Sequence, residues 1–203
     1  MAWSLAHADG AQRRTYDACK RPLFARVEGR EGRPPVVLEI GAGAGPNARH
    51  LPRAARWLAV EPNSYFHPHL RREADAHGLH LEVLPAIAEA LPIADGAADA
   101  VVSTLVLCSV GDVAQALAEA RRVLRPGGVF VFVEHVGARS GSALRRAQRA
   151  LRAPWGWLAD GCRPDRDTLE AIRNAGFERV TAEPFRVPGA LLAAPHVAGI
   201  AVR

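Results

Sequence analysis

From residue 36 onward, compact apolar runs alternate with stretches of helical periodicity. Val36–Ile40, Trp57–Val60, Leu81–Leu84, Ala100–Thr104 and Val129–Glu134 are short and rich in β-branched or aromatic residues, the signature of strands buried on both faces. Between them, Tyr65–His77 and Asp112–Leu124 carry helical spacing, and Val113, Leu117, Ala120 and Leu124 fall on one face of the second. This alternation predicts βαβ units and an α/β fold: a doubly wound, mostly parallel sheet covered on both sides.

The two ends depart from that rhythm. Met1–Val27 mixes apolar positions with arginines and reads as one or two helices, and Glu28–Pro35 is a Gly, Pro and charge-rich loop, so residues 1–35 form a helical lead-in. Pro126-Gly127-Gly128 predicts a sharp turn into the strand at Val129. Beyond Glu134 come a basic helical segment at Ser142–Leu158, a helix near Asp167–Ala175, and strands around Val180 and at Val197–Val202. Residues 137–165 read as a lid or insert in one domain spanning 1–203.

Composition narrows the class of protein. The chain has 203 residues, 49% hydrophobic and 23% charged, enough apolar content for one substantial core. Its net charge of +5 lies in short arginine clusters, and no nucleic-acid-binding motif accompanies them, so a nucleic-acid partner is not expected. Cys19, Cys108 and Cys162 are odd in number and widely spaced, which disfavours a disulfide framework and a zinc knuckle. No metal is expected, and the cytoplasm is the expected location. No apolar run is long enough to cross a bilayer. The Ser142–Leu158 segment, with Leu144, Ala147, Leu151, Trp155 and Leu158 at helical spacing and Arg145, Arg146, Arg149 and Arg152 elsewhere, is read as a lid whose tryptophans meet an apolar substrate, or as a peripheral contact with an anionic membrane.

The strongest chemical signal is Val36-Val37-Leu38-Glu39-Ile40-Gly41-Ala42-Gly43-Ala44-Gly45, a buried strand opening into a glycine-rich turn. Glycine lets backbone approach a ligand closely and offers its N–H groups. Glu61 closes the next strand about twenty residues later, where a carboxylate accepts both hydroxyl protons of a ribose. The combination is Rossmann-like and points to an adenosine-type ligand. A nicotinamide dinucleotide would favour a third glycine where Pro46 stands.

Leu38–Val136 resembles the class I S-adenosylmethionine-dependent methyltransferases in its glycine loop, Glu61-Pro62-Asn63, Ala88-Glu89-Ala90-Leu91-Pro92, Asp95-Gly96-Ala97-Ala98-Asp99 and Arg122-Val123-Leu124-Arg125-Pro126-Gly127-Gly128. The resemblance implies a seven-stranded sheet with an antiparallel last strand, and S-adenosylmethionine held by Glu39, Gly41, Ala42, Gly43, Gly45, Asn47, Glu61, Pro62, Asn63, Ala88, Glu89, Thr104 and Leu105. Ile87, Ala88 and Glu89 would line the adenine pocket; Thr104 and Leu105 would lie beneath the methionine part. Where many relatives carry Asp, this chain has Ile87, so Glu89 or backbone must meet the adenine amino group. A narrower resemblance, carried by Thr104–Val110, Glu134-His135-Val136, Asp160-Gly161-Cys162 and Pro195–Gly199, is to the methyltransferase-like family that includes alkyl thiol S-methyltransferases. The animal members of that family carry a hydrophobic N-terminal anchor, and this chain shows no such run.

The expected activity is methyl transfer to a small lipophilic acceptor, a thiol first. The alternatives are an oxygen or nitrogen acceptor on a natural product or phospholipid head group, and a non-catalytic adenosine-binding module. Positioning supplies most of such catalysis, and a thiol with a free pKa near about 8.5 needs little help to ionise. His135, at the carboxyl end of its strand where open α/β sheets bind ligands, is the first candidate proton acceptor; Asp160 and His196 are candidates to orient it or the acceptor. Cys108 and Cys162 read as packing residues without a neighbouring base in sequence. Ser103-Thr104-Leu105-Val106 stands where base-modifying enzymes often hold an Asn/Asp-Pro-Pro-aromatic motif.

Overall fold

The computed structural model describes residues 10–30 and 32–203; the first nine residues of the helical lead-in lie outside the described residues. Seven strands, β1 (Val36–Ile40), β2 (Arg56–Val60), β3 (His80–Leu84), β4 (Ala98–Thr104), β5 (Leu124–His135), β6 (Arg179–Arg186) and β7 (Pro195–Val202), form one sheet of order β3-β2-β1-β4-β5-β7-β6. The first five are parallel, and β7 runs antiparallel between β5 and β6. The direction in which strand order runs reverses between β1 and β4, opening a crevice at their carboxyl ends.

Alternation along each strand divides the core. Leu38, Ile40, Leu58 and Val60 pack on one face with Leu117 and Ala120 of helix α3 (Val113–Val123) and Ile172 of α6 (Thr168–Arg173). Val37, Trp57, Ala59 and Val131 pack on the other with Phe24 of α1 (Gly10–Phe24) and Leu70 of α2 (His67–His77). Asp112 starts α3 by accepting the amides of Ala114 and Gln115, and left-handed Gly78 ends α2.

Two expectations are corrected. Pro126-Gly127-Gly128 does not precede β5 but bulges within it: Leu124 pairs with Ala98 and Val129 with Ala100, so four residues oppose Asp99 alone. The segment Ser142–Leu158 is two helices, α4 (Ala143–Ala150) and α5 (Arg152–Leu158), because the ring of Pro154 excludes a helical bond to the carbonyl of Ala150. Its buried face is also polar rather than apolar. Arg145 pairs with Asp167 at 2.6 Å, and Gln148 accepts the amide of Ala138 and donates to the carbonyl of Leu192, satisfying backbone groups of the flanking loops. Leu151, Trp157 and Leu158 are exposed.

Candidate active site

A cavity of about 490 Å3 occupies the crevice beyond β1, β2 and β4. Its floor is the turn after β1. Gly41 has φ +61°, and a Cβ there would lie 2.6 Å from Cγ2 of Val106, so only glycine fits. Glu61, buried at the end of β2, fixes that turn: its Oε2 accepts the amide of Gly43 at 2.8 Å and its Oε1 the amide of Asn63 at 2.9 Å. Each carboxylate oxygen retains a lone pair for a ligand hydroxyl.

Beneath the turn, Glu39 accepts from Asn47 Nδ2 at 2.7 Å and from Trp57 Nε1 at 2.8 Å. Burial pushes its carboxyl up to about 7, against the pull of these hydrogen bonds and of the Lys20 ammonium. Asn47 Nδ2 also donates to Thr104 Oγ1 at 3.0 Å, while its buried Oδ1 has no hydrogen-bond partner among the described residues. An unpartnered acceptor in a cavity wall calls for a ligand donor, and the ammonium of an amino-acid moiety is one.

The opposite wall is the turn after β4. Leu105 has φ +57°, strained for a branched side chain, and the turn is pinned by Glu134 of β5. That buried carboxylate accepts from Ser103 Oγ at 2.7 Å and from the amides of Val106 and Leu107; burial raises it to about 7 despite these bonds. Glu89 Oε1 accepts the amide of Gly111 at 2.8 Å and that of Asp112 at 3.2 Å, bracing the rim.

The expected residues distribute as follows. Glu39, Gly41, Ala42, Gly43, Asn47, Glu61, Pro62, Asn63, Ala88, Glu89, Thr104 and Leu105 line the cavity, as does Ile87. Gly45 does not: it packs against Glu73 and the Trp57 ring, so its task is close helix packing rather than contact. Phe66 and Gly111 line it without having been singled out, and Ser109 and Val110 were named only within the Thr104–Val110 motif, not as site residues.

The three acceptor-side candidates separate. Asp160, exposed and left-handed at φ +52°, lines the cavity and is the one lining residue from 137–165. His135 and His196 do not line it; they face each other across β5 and β7 in register and are buried. Tyr16 of α1 donates to His196 Nε2 at 2.9 Å, and His196 Nδ1 to the carbonyl of Ala194 at 3.1 Å. Burial lowers His196 to about 4. His135 donates from Nε2 to the carbonyl of Pro164 at 3.2 Å and turns Nδ1 toward Cys162 Sγ at 3.7 Å. The base missing in sequence beside Cys108 and Cys162 is thus His135. Burial, the largest influence, lowers it, but Cys108, the Pro164 carbonyl and Glu134 together raise it above its ordinary value. Cys108, as thiol partner of Cys162 and by burial, is raised, whereas its hydrogen bond lowers Cys162. The tryptophans expected against substrate do not line the cavity, and Trp157 is 86% exposed.

Residues 38–132 match the family described as a methyltransferase domain. Over 197 residues the chain is 36% identical to the Homo sapiens thiol S-methyltransferase TMT1B, covering 94% of this chain and 80% of that protein. Against human thiol S-methyltransferase TMT1A it is 36% identical over 192 residues, covering 91% and 78%. The solved structure of Burkholderia thailandensis 1,6-didemethyltoxoflavin-N1-methyltransferase, with bound 1,6-didemethyltoxoflavin and S-adenosylhomocysteine, superposes with a TM-score of 0.65 at 21% identity, covering 99% of this chain and 85% of that one. The strand order, the glycine turn and these matches define an S-adenosylmethionine-dependent methyltransferase of class I. Within that class, the chain belongs to the thiol S-methyltransferase family.

Proposed function

We propose that this methyltransferase acts on a small lipophilic thiol. The observation that carries the reading is the acceptor end of the cavity, where apolar Leu105, Val106 and Val110 stand beside Ser109 and Asp160. An apolar wall suits an alkyl chain, and a soft, readily ionised thiol needs less polar framing than a phenol or amine. The relatives named above are thiol S-methyltransferases, which supports the same acceptor.

Glu39, Asn47 and Thr104 would hold the amino-acid end of S-adenosylmethionine, Glu61 the ribose, and Ile87 to Glu89 the adenine. Once bound, that cofactor supplies an electrophilic methyl group on a positively charged sulfur. The cavity's Glu61 and Glu89 are engaged with loop amides and Glu39 with Asn47 and Trp57. Asp160 has no hydrogen-bond partner among the described residues and takes the proton. As the acceptor sulfur's electron pair forms the new S–C bond, its S–H bond breaks toward the Asp160 carboxylate, which passes the proton to solvent. The products are a neutral thioether, S-adenosylhomocysteine and that proton.

The test is mass spectrometry of products from alkanethiols, phenols and primary amines, each incubated with S-adenosylmethionine. Thioethers are expected; methylated phenols or amines beside unchanged thiols would overturn the reading.

We further propose that 142–158 makes peripheral contact with anionic membranes in the cytoplasm, with small molecules rather than nucleic acid as substrates. Exposed Leu151, Trp157 and Leu158 stand among exposed Arg146, Arg149 and Arg152, apolar anchors ringed by the complementary charge. Flotation with phosphatidylserine vesicles is expected and should weaken in Trp157→Ser; absence of flotation at low salt would refute it.

A further inference from the structure

Behind the acceptor wall lies a cluster that methyl transfer does not use. Cys108 Sγ, Cys162 Sγ and a His135 ring nitrogen all lie within 4.8 Å of one another, and the three residues are buried. They come from three segments distant in sequence: the turn after β4, the end of β5 and the loop after α5. Two thiols and an imidazole converging without solvent match the donor set of thiophilic, tetrahedral cations.

We infer that Cys108, Cys162 and His135 form a zinc(II) site. The geometry suits it: ligands bound at zinc–sulfur and zinc–nitrogen lengths in a tetrahedron stand about 3.6 Å apart, and Cys162 Sγ lies 3.7 Å from His135 Nδ1. The tautomer is also set for it. Donation from His135 Nε2 to the Pro164 carbonyl leaves the Nδ1 lone pair facing the sulfurs, the outer-shell device that commonly orients a metal-binding histidine. Two thiolates and one neutral imidazole around a dication carry no net charge, which limits the cost of burial. Cys162 borders a surface depression with Gly156 and Gly161, which gives the ion an access route. Three protein donors leave a fourth position for water or another ligand.

The site has a mechanical consequence. Cys108 belongs to the turn whose Leu105, Val106 and Ser109 line the cavity, and Cys162 lies two residues beyond Asp160. The backbone already joins these segments through the Arg163 amide and the Cys108 carbonyl at 2.9 Å. Arg166 closes the same turn by donating to the carbonyl oxygens of Leu107 and Val110. A metal would lock Asp160 against the acceptor wall.

Cobalt(II) added to the metal-stripped, reduced full-length protein tests this without reference to catalysis. One equivalent should produce a sulfur-to-cobalt charge-transfer band with intense visible bands of tetrahedral coordination, and zinc chloride should bleach both. The bands should persist in Cys19→Ser and vanish in Cys108→Ser and Cys162→Ser. Loss of a ligand should weaken binding at least as much as loss of an outer-shell partner, about 10–100-fold. Absence of the charge-transfer band in reduced wild type overturns the proposal even if the serine variants fail to fold. A band that survives both serine substitutions, or one that disappears in Cys19→Ser, also overturns it. The methyl acceptor does not enter this experiment, so its outcome is separable from the thiol assignment.

Discussion

The Glu61 carboxylate and the Gly43 amide, 2.8 Å apart, join the second strand to the turn after the first. The same carboxylate also takes the Asn63 amide, so one side chain sets the backbone of two turns at that end of the cavity. Hydrogen bonds to a charged group contribute about 1.5–3 kcal/mol each. Glu61→Ala should therefore weaken S-adenosylhomocysteine binding by about 10–100-fold, measured by isothermal titration calorimetry, while Glu82→Ala on exposed surface should not.

Glu134 plays the corresponding part on the acceptor side. A Glu134→Gln side chain would confront the Val106 and Leu107 amides with a further donor in place of one oxygen. The expected loss is about 2–4 kcal/mol of stability, seen as a lower denaturation midpoint, together with reduced turnover from a loosened Leu105 turn.

Asp160→Asn keeps the shape and removes the proton acceptor. Turnover with an alkanethiol should fall by about 100-fold or more, with S-adenosylhomocysteine affinity within about twofold of wild type. The deficit should shrink as pH rises toward the thiol's own ionisation near about 8.5. An unchanged rate at neutral pH would remove Asp160 from the reaction.

His196 gives the fold a pH dependence of known sign. Its folded pKa is lowered to about 4 from an ordinary value of 6.5, so between these values the unfolded chain binds more protons. The His196 contribution to stability then rises with pH across that window and is lost as pH falls through it. In urea midpoints from pH 4 to 7 this slope is superposed on the opposite one from Glu39 and Glu134, whose carboxyls are raised to about 7. The check is therefore the difference: wild type minus His196→Gln, which does not titrate there, should grow as pH rises.

Much of the fold was legible because strand burial and helical periodicity are local signals. The place of Glu61 in the cavity wall was legible too, since an acidic residue just past a strand beside a glycine turn falls at the crevice; that its carboxylate braces the Gly43 and Asn63 amides was not. His135 was misplaced for a non-local reason: its strand does end at the crevice, but pairing with β7 sets it opposite His196, and α1 covers that pair through Tyr16. The gathering of Cys108, His135 and Cys162 depends on three loops at once and leaves no spacing to read. Pro154, by contrast, was visible in the sequence, and its break of the Ser142–Leu158 helix follows from proline chemistry alone. The buried face of α4 was inverted because Arg145 and Gln148 answer backbone groups of loops that periodicity does not register.

The left-handed backbone at Leu105 has an evolutionary reach beyond its geometry. Glycine there would relax the chain by about 1 kcal/mol or more but would strip an apolar surface from the reaction chamber. Leu105 is also buried in a core cluster with Tyr16, Val133 and Val187, and losing that packing would cost about 2–5 kcal/mol, so fold stability and the chamber wall hold the same strained residue in place.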